Sequence, residues 1–251
     1  PGYTRRAMAT LARMRAANVG GVMRAEGRTP FQRAVAHAYN SRIGLGGGAY
    51  HSGGADGPAE SAYLGVMRRA VLDEVGGFYE TIRRGEDSEL NLRIRRAGYR
   101  VWFDPDLAVA YWPRERWGRL VRQFRSTGTW RGELVRRYGR RNSLRFFAPP
   151  ALLVVAALAL VVAIAQLTGL LHGVWSVIAS LVYVPLVAYL LVVIGYAGSR
   201  RAGPGLRERL WALVVIPSMH LAWGAGFLGG AARGARENVD TSRLRRNTPL
   251  P

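Results

Sequence analysis

Cysteine is absent from the 251-residue chain, which excludes a disulfide framework, a thiolate nucleophile and a thiolate metal site. Lysine is absent as well, so all 36 basic residues are Arg, a uniformity that reads as a compositional bias of the source genome. Only 16 acidic residues oppose them, leaving a net charge of +20. The four histidines, His37, His51, His172 and His220, are scattered and show no metal-ligand spacing. Charge of either sign is missing from residues 147–199, whereas residues 1–146 carry 27 Arg against 13 acidic side chains. The mean hydropathy near zero therefore averages two unlike halves, a basic water-facing part followed by a membrane part. The chain opens on Pro rather than Met, without a signal-peptide pattern, and is expected to be a piece whose N-terminal portion is missing.

Against this shortage of acid, Gly85-Glu86-Asp87-Ser88-Glu89-Leu90 places three carboxylates within four residues. Leu90, Ile94 and Ala97 follow at helical spacing and Gly98 stops the pattern, so the stretch reads as a turn entering a helix. Asp87 or Ser88 is the expected N-cap, at the positive end of the helix dipole. A capping carboxylate and a catalytic one are both compatible with this pattern.

The order of the remaining elements is α/β. A short amphipathic helix is expected over 3–17, then a brief strand at Asn18-Val19-Gly20-Gly21-Val22-Met23, whose glycine pair marks a turn or a ligand approaching the backbone. Thr29-Pro30 has the form of an N-cap followed by Pro at the first helical position. The glycine-rich run from Gly44 to Pro58 matches neither dinucleotide nor P-loop spacing and is expected as a mobile loop over a site. A strand at 62–67 and a helix at 69–75 precede the acidic stretch. Tyr99 to Phe103 and Leu107 to Tyr111 alternate like strands joined by a turn at Asp104-Pro105-Asp106. Residues 116–138 form an Arg-faced amphipathic helix, suited either to a membrane surface or to packing on its own domain.

Residues 149–171 and 174–197 are uncharged and long enough to span a bilayer, and 210–230 form a weaker third span with Pro217, His220 and several glycines. Flanking Arg residues put the soluble part and the 199–209 loop on the cytoplasmic side. A third full crossing would export the basic tail at 232–251 against the same rule, so the third span is either re-entrant, interfacial or an exception.

Several motifs in this order resemble the membrane-associated family 2 glycosyltransferases that build bacterial exopolysaccharide such as succinoglycan. They are Arg68-Arg69 and Val75-Gly76-Gly77-Phe78 followed eight residues on by Glu86-Asp87; Gly98-Tyr99 with Phe103-Asp104-Pro105; Gln123-Phe124-Arg125 with Trp130-Arg131; and the final spans with His220-Leu221-Ala222-Trp223-Gly224. Asn18-Val19-Gly20-Gly21 and Thr29 to Ala34 are similar to this subgroup too. The resemblance implies an α/β GT-A-like glycosyltransferase domain, its C-terminal part only at 1–115, then an interfacial amphipathic region at 116–146 and about three transmembrane helices within 147–231. It implies an inverting transfer of sugar from a nucleotide-sugar donor to a lipid-linked or polysaccharide acceptor at the cytoplasmic membrane face. Asp87 would be the general base, with Glu86 and Glu89 in support. Gly20, Gly21, Asp56, Gln123, Arg125, Trp130 and Arg131 would contact donor or acceptor, although the Gln123 to Arg131 spacing departs from the signature of processive members. A divalent metal, Mg or Mn, is expected, with its Asp-x-Asp ligands upstream of Pro1, so that this piece alone would be inactive. Membrane lipids are expected partners and no specific nucleic acid is. The alternative is a membrane-anchored basic protein that binds nucleic acid or lipid without catalysis.

Overall fold

The computed structural model describes residues 2–45, 48–82, 84–139 and 144–235. Gly46 and Gly47 of the expected glycine loop, and the expected basic tail beyond 235, lie outside the described residues.

Helix α1 (Gly2–Arg13) leads into strand β1 (Asn18–Ala25). Helix α2 (Pro30–Tyr39) begins as its sequence requires. The Thr29 hydroxyl accepts from the Gln32 N–H at 3.1 Å, and Pro30 sits where a helix needs no N–H. Thr29→Ala is expected to cost about 1 kcal/mol, seen as a lower thermal midpoint; an unchanged midpoint would rule the cap out as a stabilising contact. Where a mobile loop was expected, short helices α3 (Arg42–Leu45) and α4 (Ala49–Ser52) flank the undescribed glycines. The two-residue strand β2 (Gly57–Pro58), strand β3 (Tyr63–Met67) and helix α5 (Arg69–Val75) follow. Helix α6 (Glu86–Arg96), strand β4 (Val101–Tyr111) and helix α7 (Trp117–Tyr138) complete the water-facing part.

The sheet runs β2-β4-β1-β3, with β4 parallel to β1 and the outer pairs antiparallel. Asp104-Pro105-Asp106 makes no turn between two strands; it lies inside the single strand β4. Gly20 pairs with Phe103 but Val22 pairs with Ala108, so residues 104–107 bulge opposite Gly21 alone. That bulge explains the glycine pair, which sits in mid-strand and not in a turn. A Cβ on Gly21 would lie 1.7 Å from the Leu107 carbonyl oxygen, and one on Gly20 would lie 2.4 Å from that of Tyr63. Helix α1 covers one part of the sheet through Ala7 and Leu11 against Val19 and Leu107. Helix α6 covers another through Leu90 and Ile94 against Ala62 and Val101.

Three segments, Leu144–Leu167, Gly173–Gly198 and Leu206–Arg233, are long and apolar enough to cross a membrane by length and composition. The expected spans fall on them. The first is helix α8 (Ala148–Leu167) behind a 3-10 turn. The second is helix α9 (Gly173–Ala179), a 3-10 turn at Ser180–Val182 and helix α10 (Tyr183–Gly198). Pro185 has no N–H to return to the Leu181 carbonyl, which accounts for the tightened turn there. Gln166 ties the two segments together, donating to Ser180 Oγ at 2.9 Å and accepting from Tyr183 at 2.9 Å.

The third segment, helix α11 (Leu206–Arg233), differs from the other two because one side of it is packed along its length. Near its start Glu208 accepts from Arg33 of α2 at 2.6 Å. Farther on, Ala212, Val215, Ile216 and Met219 share a core with Phe31, Val35 and Ala38 of α2, Met23 of β1 and Phe124 of α7. Its last turns run against α7. Leu120 and Phe124 of the apolar stripe of α7 are buried in this core, Trp130 and Leu134 are buried beside Ile82 and Ala235, and Trp117 stays exposed and donates its indole N–H to Ser218 at 2.8 Å.

Candidate functional site

The acidic stretch enters α6 differently from the expected cap. Gly85, in the left-handed region at φ 79°, occupies the N-cap position and neither Asp87 nor Ser88 caps the helix. Glu86, Asp87 and Glu89 are all in the first turn, near the free N–H groups. Ionisation of Asp87 does not follow the dipole alone: partial burial, and then repulsion from Glu86, raise its pKa above the ordinary carboxylate value. One Glu86 oxygen, Oε2, is buried without a hydrogen-bond partner.

Two contacts from other elements hold this turn. Asn91 of α6 donates to the Asp87 carbonyl at 2.8 Å and to Ser61 at 3.1 Å, and accepts from Asn18 of β1 at 2.6 Å. The buried Asn18–Asn91 pair thus links the central strand to the backbone that carries Asp87. From the other side, α7 reaches across with Arg131, which donates to Ser88 Oγ at 3.3 Å, and with Thr127, which accepts from Arg84 at 2.7 Å.

Glu89 is held by its own helix. It accepts from Arg93 at 2.8 Å and from the Tyr138 hydroxyl at 2.6 Å, and is fully buried. Burial and the Glu89 hydrogen bond push the Tyr138 phenol up to about 12, so it stays a donor. Arg93 also donates to the Val75 and Gly77 carbonyls and lies 4.1 Å from the Tyr79 ring centre. The group therefore clamps the loop that precedes Asp87. Glu89→Ala would strand the Arg93 charge and is expected to destabilise the protein by about 3 kcal/mol, read as a lower melting midpoint in detergent. A midpoint within experimental scatter of the parent's would remove the clamp.

A small cleft adjoins the turn, lined by Ser88, Glu60, Ser61, Arg131, Arg145 and Phe146 among others. Phe146 packs against two guanidiniums, its ring centre 4.0 Å from that of Arg131 and 4.9 Å from that of Arg145. Burial lowers the pKa of Arg131 and pushes His51 down to about 3, with Arg145 adding to the effect on His51. The cleft is thus basic and partly dehydrated, with an ionisable carboxylate at the adjoining helix end. Arg145, Glu60 and Asn91 carried no periodic or motif signal, and Ser88 stood out only as an expected N-cap; the chain's return through α7 and the 144–147 turn assembles them.

The other expected site residues are distributed elsewhere. Trp130 is buried among Ile82, Leu134 and Ala235, and Gln123 donates to Tyr111 at 3.2 Å while its Oε1 stays buried without a partner. Arg125 is exposed on α7. Asp56 accepts from the Trp102 indole at 2.6 Å and pairs with Arg13 at 3.9 Å, beside the sheet edge. Gly20 and Gly21 are buried under their neighbouring strands.

The expected divalent metal has its ligands placed upstream of Pro1, and no residue of this chain is assigned to hold it. Among the described residues no three His, Asp or Glu side chains gather to hold an ion. Asp104 accepts from Arg6 at 3.1 Å and Thr10 at 2.9 Å, and Asp106 also pairs with Arg6. Burial raises the Asp104 pKa, but these hydrogen bonds outweigh it and hold the carboxyl below its ordinary value. Both carboxylates of the Asp-x-Asp spacing are therefore engaged in fixing α1 to the bulge.

No family model and no solved structure matches the chain. Among known proteins, the succinoglycan biosynthesis protein ExoA of Rhizobium meliloti (strain 1021) is 31% identical over 205 residues, which is 82% of this chain and 58% of that protein. The chain thus spans rather more than half the length of the relative it matches.

Proposed function

With a succinoglycan biosynthesis protein as relative, we propose that this chain belongs to a membrane-associated, inverting family 2 glycosyltransferase with a GT-A-like domain. The observation that carries the reading is the contact between Arg131 and Ser88. It brings a half-buried guanidinium to the helix end where Asp87 resides.

Glycosyl transfer from a nucleotide-sugar needs two things of a protein at once. The acceptor hydroxyl must lose its proton as its oxygen attacks the anomeric carbon. The bond from that carbon to the diphosphate oxygen breaks, and the leaving nucleoside diphosphate carries away the electron pair. Asp87 takes the acceptor proton on its carboxylate. A base works best with a pKa near the working pH, so the upward shift of Asp87 favours the role. Arg131 stabilises charge on the leaving diphosphate, and a partly dehydrated guanidinium does so more strongly than one in water. Phe146 and Ser88 fix its plane.

The Arg-dense domain and the loop after α10 favour the cytoplasmic face, and nucleotide-sugars are consumed there. The test is a comparison of membranes from cells with and without the gene, each incubated with a panel of labelled UDP-, GDP- and dTDP-hexoses. Gene-dependent label in the lipid or polysaccharide fraction is the expected result. Absence of gene-dependent transfer from every donor would end this reading.

A further inference from the structure

Helix α11 is fastened to the water-facing part near both of its ends. At its start the buried Glu208 carboxylate accepts from Arg33 of α2 at 2.6 Å, and the Phe31 ring meets that of Trp211 at 5.1 Å. Toward its finish a Cβ on Gly230 would lie 1.9 Å from the Thr129 carbonyl oxygen of α7, the helix whose Arg131 reaches Ser88. Glu208 and Gly230 are about 33 Å apart along a helix rising 1.5 Å per residue, more than the ~30 Å hydrocarbon core of a bilayer. A crossing α11 would therefore carry one of these attachments through the membrane, and with it the Arg-rich α7. The apolar helices meet α11 at a single level as well. Phe146 and Phe147, just before α8, lie 5.9 Å from Trp223 and 5.5 Å from Phe227. The buried residues of α10, Val193, Tyr196 and Ala197, are all near its C-terminal end and join Val215, Ile216 and Met219 of α11. Gln166 ties the far end of α8 to the second segment, so the start of α8 and the end of α10 are the same-side ends of a hairpin, and α11 passes across both.

From this arrangement we propose that α11 is a membrane-surface helix whose exposed face rests on lipid, and that only α8 and the α9–α10 segment cross. One face of α11 carries the domain. On the other, Leu206, Leu210, Leu213, Val214, Leu221 and Leu228 are exposed within one stripe of a 3.6-residue helix. From Leu210 to Leu228 every exposed residue is apolar, so this face suits lipid and not water. Two observations commit it to a bilayer and not to another protein. The stripe is continuous with α8 and α10, and exposed Arg207 and Arg233 stand at its two ends, where anionic headgroups at one level would meet both. Trp117, exposed and bonded to Ser218, has the place of an interfacial tryptophan. With both Arg-bearing ends of α11 on the domain's side, the charge rule that a third crossing would break is obeyed. The inference concerns where the chain lies and does not rest on the proposed glycosyl transfer.

Because the chain has no cysteine, each introduced thiol is unique. The full chain, in sealed inside-out and right-side-out vesicles, is treated with a membrane-impermeant maleimide. Leu206→Cys and Ala232→Cys, exposed at the two ends of α11, are expected to react from the side that labels Arg5→Cys on α1. Leu170→Cys, in the turn after α8, is expected to react only from the other side. Labelling of Ala232→Cys from the Leu170→Cys side would overturn the proposal. Depth is the second measurement. Nitroxides attached at Leu210→Cys, Leu221→Cys and Leu228→Cys are expected in one leaflet and open to dissolved oxygen, which concentrates in lipid. In a crossing helix the first and last would differ in depth by about 27 Å and lie in opposite leaflets. That separation would overturn the proposal, and so would shielding of all three labels from lipid, the result a second protein on the stripe would give. Neither measurement needs a sugar donor, so a failure here leaves the assignment of Asp87 standing, and the reverse holds.

Discussion

Replacing Asp87 with Asn is expected to lower sugar transfer by about 100- to 10,000-fold, the range a positioned base supplies. The substitution keeps size and shape and leaves the Asp87 carbonyl, which Asn91 holds, in place. It should not unfold the protein. A carboxyl whose pKa is raised on folding is ionised at a cost to the folded state, and that cost grows as pH rises above the ordinary carboxylate value. Asn removes it, so the variant should melt no lower than the parent at pH 7. Parental transfer by Asp87→Asn would sink the base assignment. The same shift sets a pH dependence: transfer rises with pH as Asp87 loses its proton, and this acid limb lies above the range of a free aspartate. Glu86→Gln, which lifts the repulsion that is the second cause of the shift, should move the limb toward lower pH. A limb that stays in place would mean another group titrates there.

The largest structural effect is expected where α7 and α11 cross. Gly128 and Gly132 of α7 meet Gly226 and Gly230 of α11, one glycine every four residues on each helix. A Cβ would lie 2.1 Å from the Trp223 carbonyl oxygen at Gly128 and 2.2 Å from that of Phe227 at Gly132. The reverse holds on the partner helix: 2.0 Å from the Arg125 oxygen at Gly226 and 1.9 Å from the Thr129 oxygen at Gly230. Backbone thus rests on backbone in both directions, as in close-packed membrane helix pairs. Gly230→Ala should push the helices apart and cost about 1–3 kcal/mol, the usual range for overpacking. Gly226→Leu together with Gly128→Leu should separate them. Gly229, one residue away, supplies the control: its added Cβ meets nothing nearer than Arg233 at 3.6 Å. Gly229→Ala should be neutral or stabilise by about 0.5–1 kcal/mol. Limited proteolysis within 116–146 and melting in detergent would separate the two. Equal behaviour of Gly229→Ala and Gly230→Ala would mean the crossing is not tight.

Local patterns were legible in the sequence wherever a few neighbouring residues decide the outcome. Thr29-Pro30 announces α2 because the cap is three residues long, and α8 and α10 announce themselves because a bilayer demands uninterrupted apolar length. The bulge at Asp104-Pro105-Asp106 was not legible. Pro and two aspartates form a turn in most contexts, and what keeps them in a strand is Arg6, about a hundred residues away in the chain. Gly20-Gly21 misled for the same reason, since its cause is Leu107 and Tyr63 on the neighbouring strands. In the candidate site, the acidic turn stood out against an Arg-rich background, but its basic half did not. With so many arginines, sequence offers no reason to prefer Arg131 and Arg145 over their neighbours. Their selection is made by Ser88, Phe146 and the return of the chain past α6. The cap at Gly85 escaped because a left-handed glycine leaves no side-chain signature.

The core that joins Met23, Phe31 and Phe124 to Val215, Ile216 and Met219 bears on how this protein is made. The ribosome delivers α2 and α7 long before α11 exists, and α8 to α10, apolar and long enough to cross a membrane, are made in between. During that interval α2 and α7 have no cover for the faces α11 will bury. The nascent domain must therefore wait, partly open, for the last helix to return, and a chaperone or the membrane surface itself is the natural shelter. Any stop codon between residues 147 and 206 would release a chain whose domain never closes.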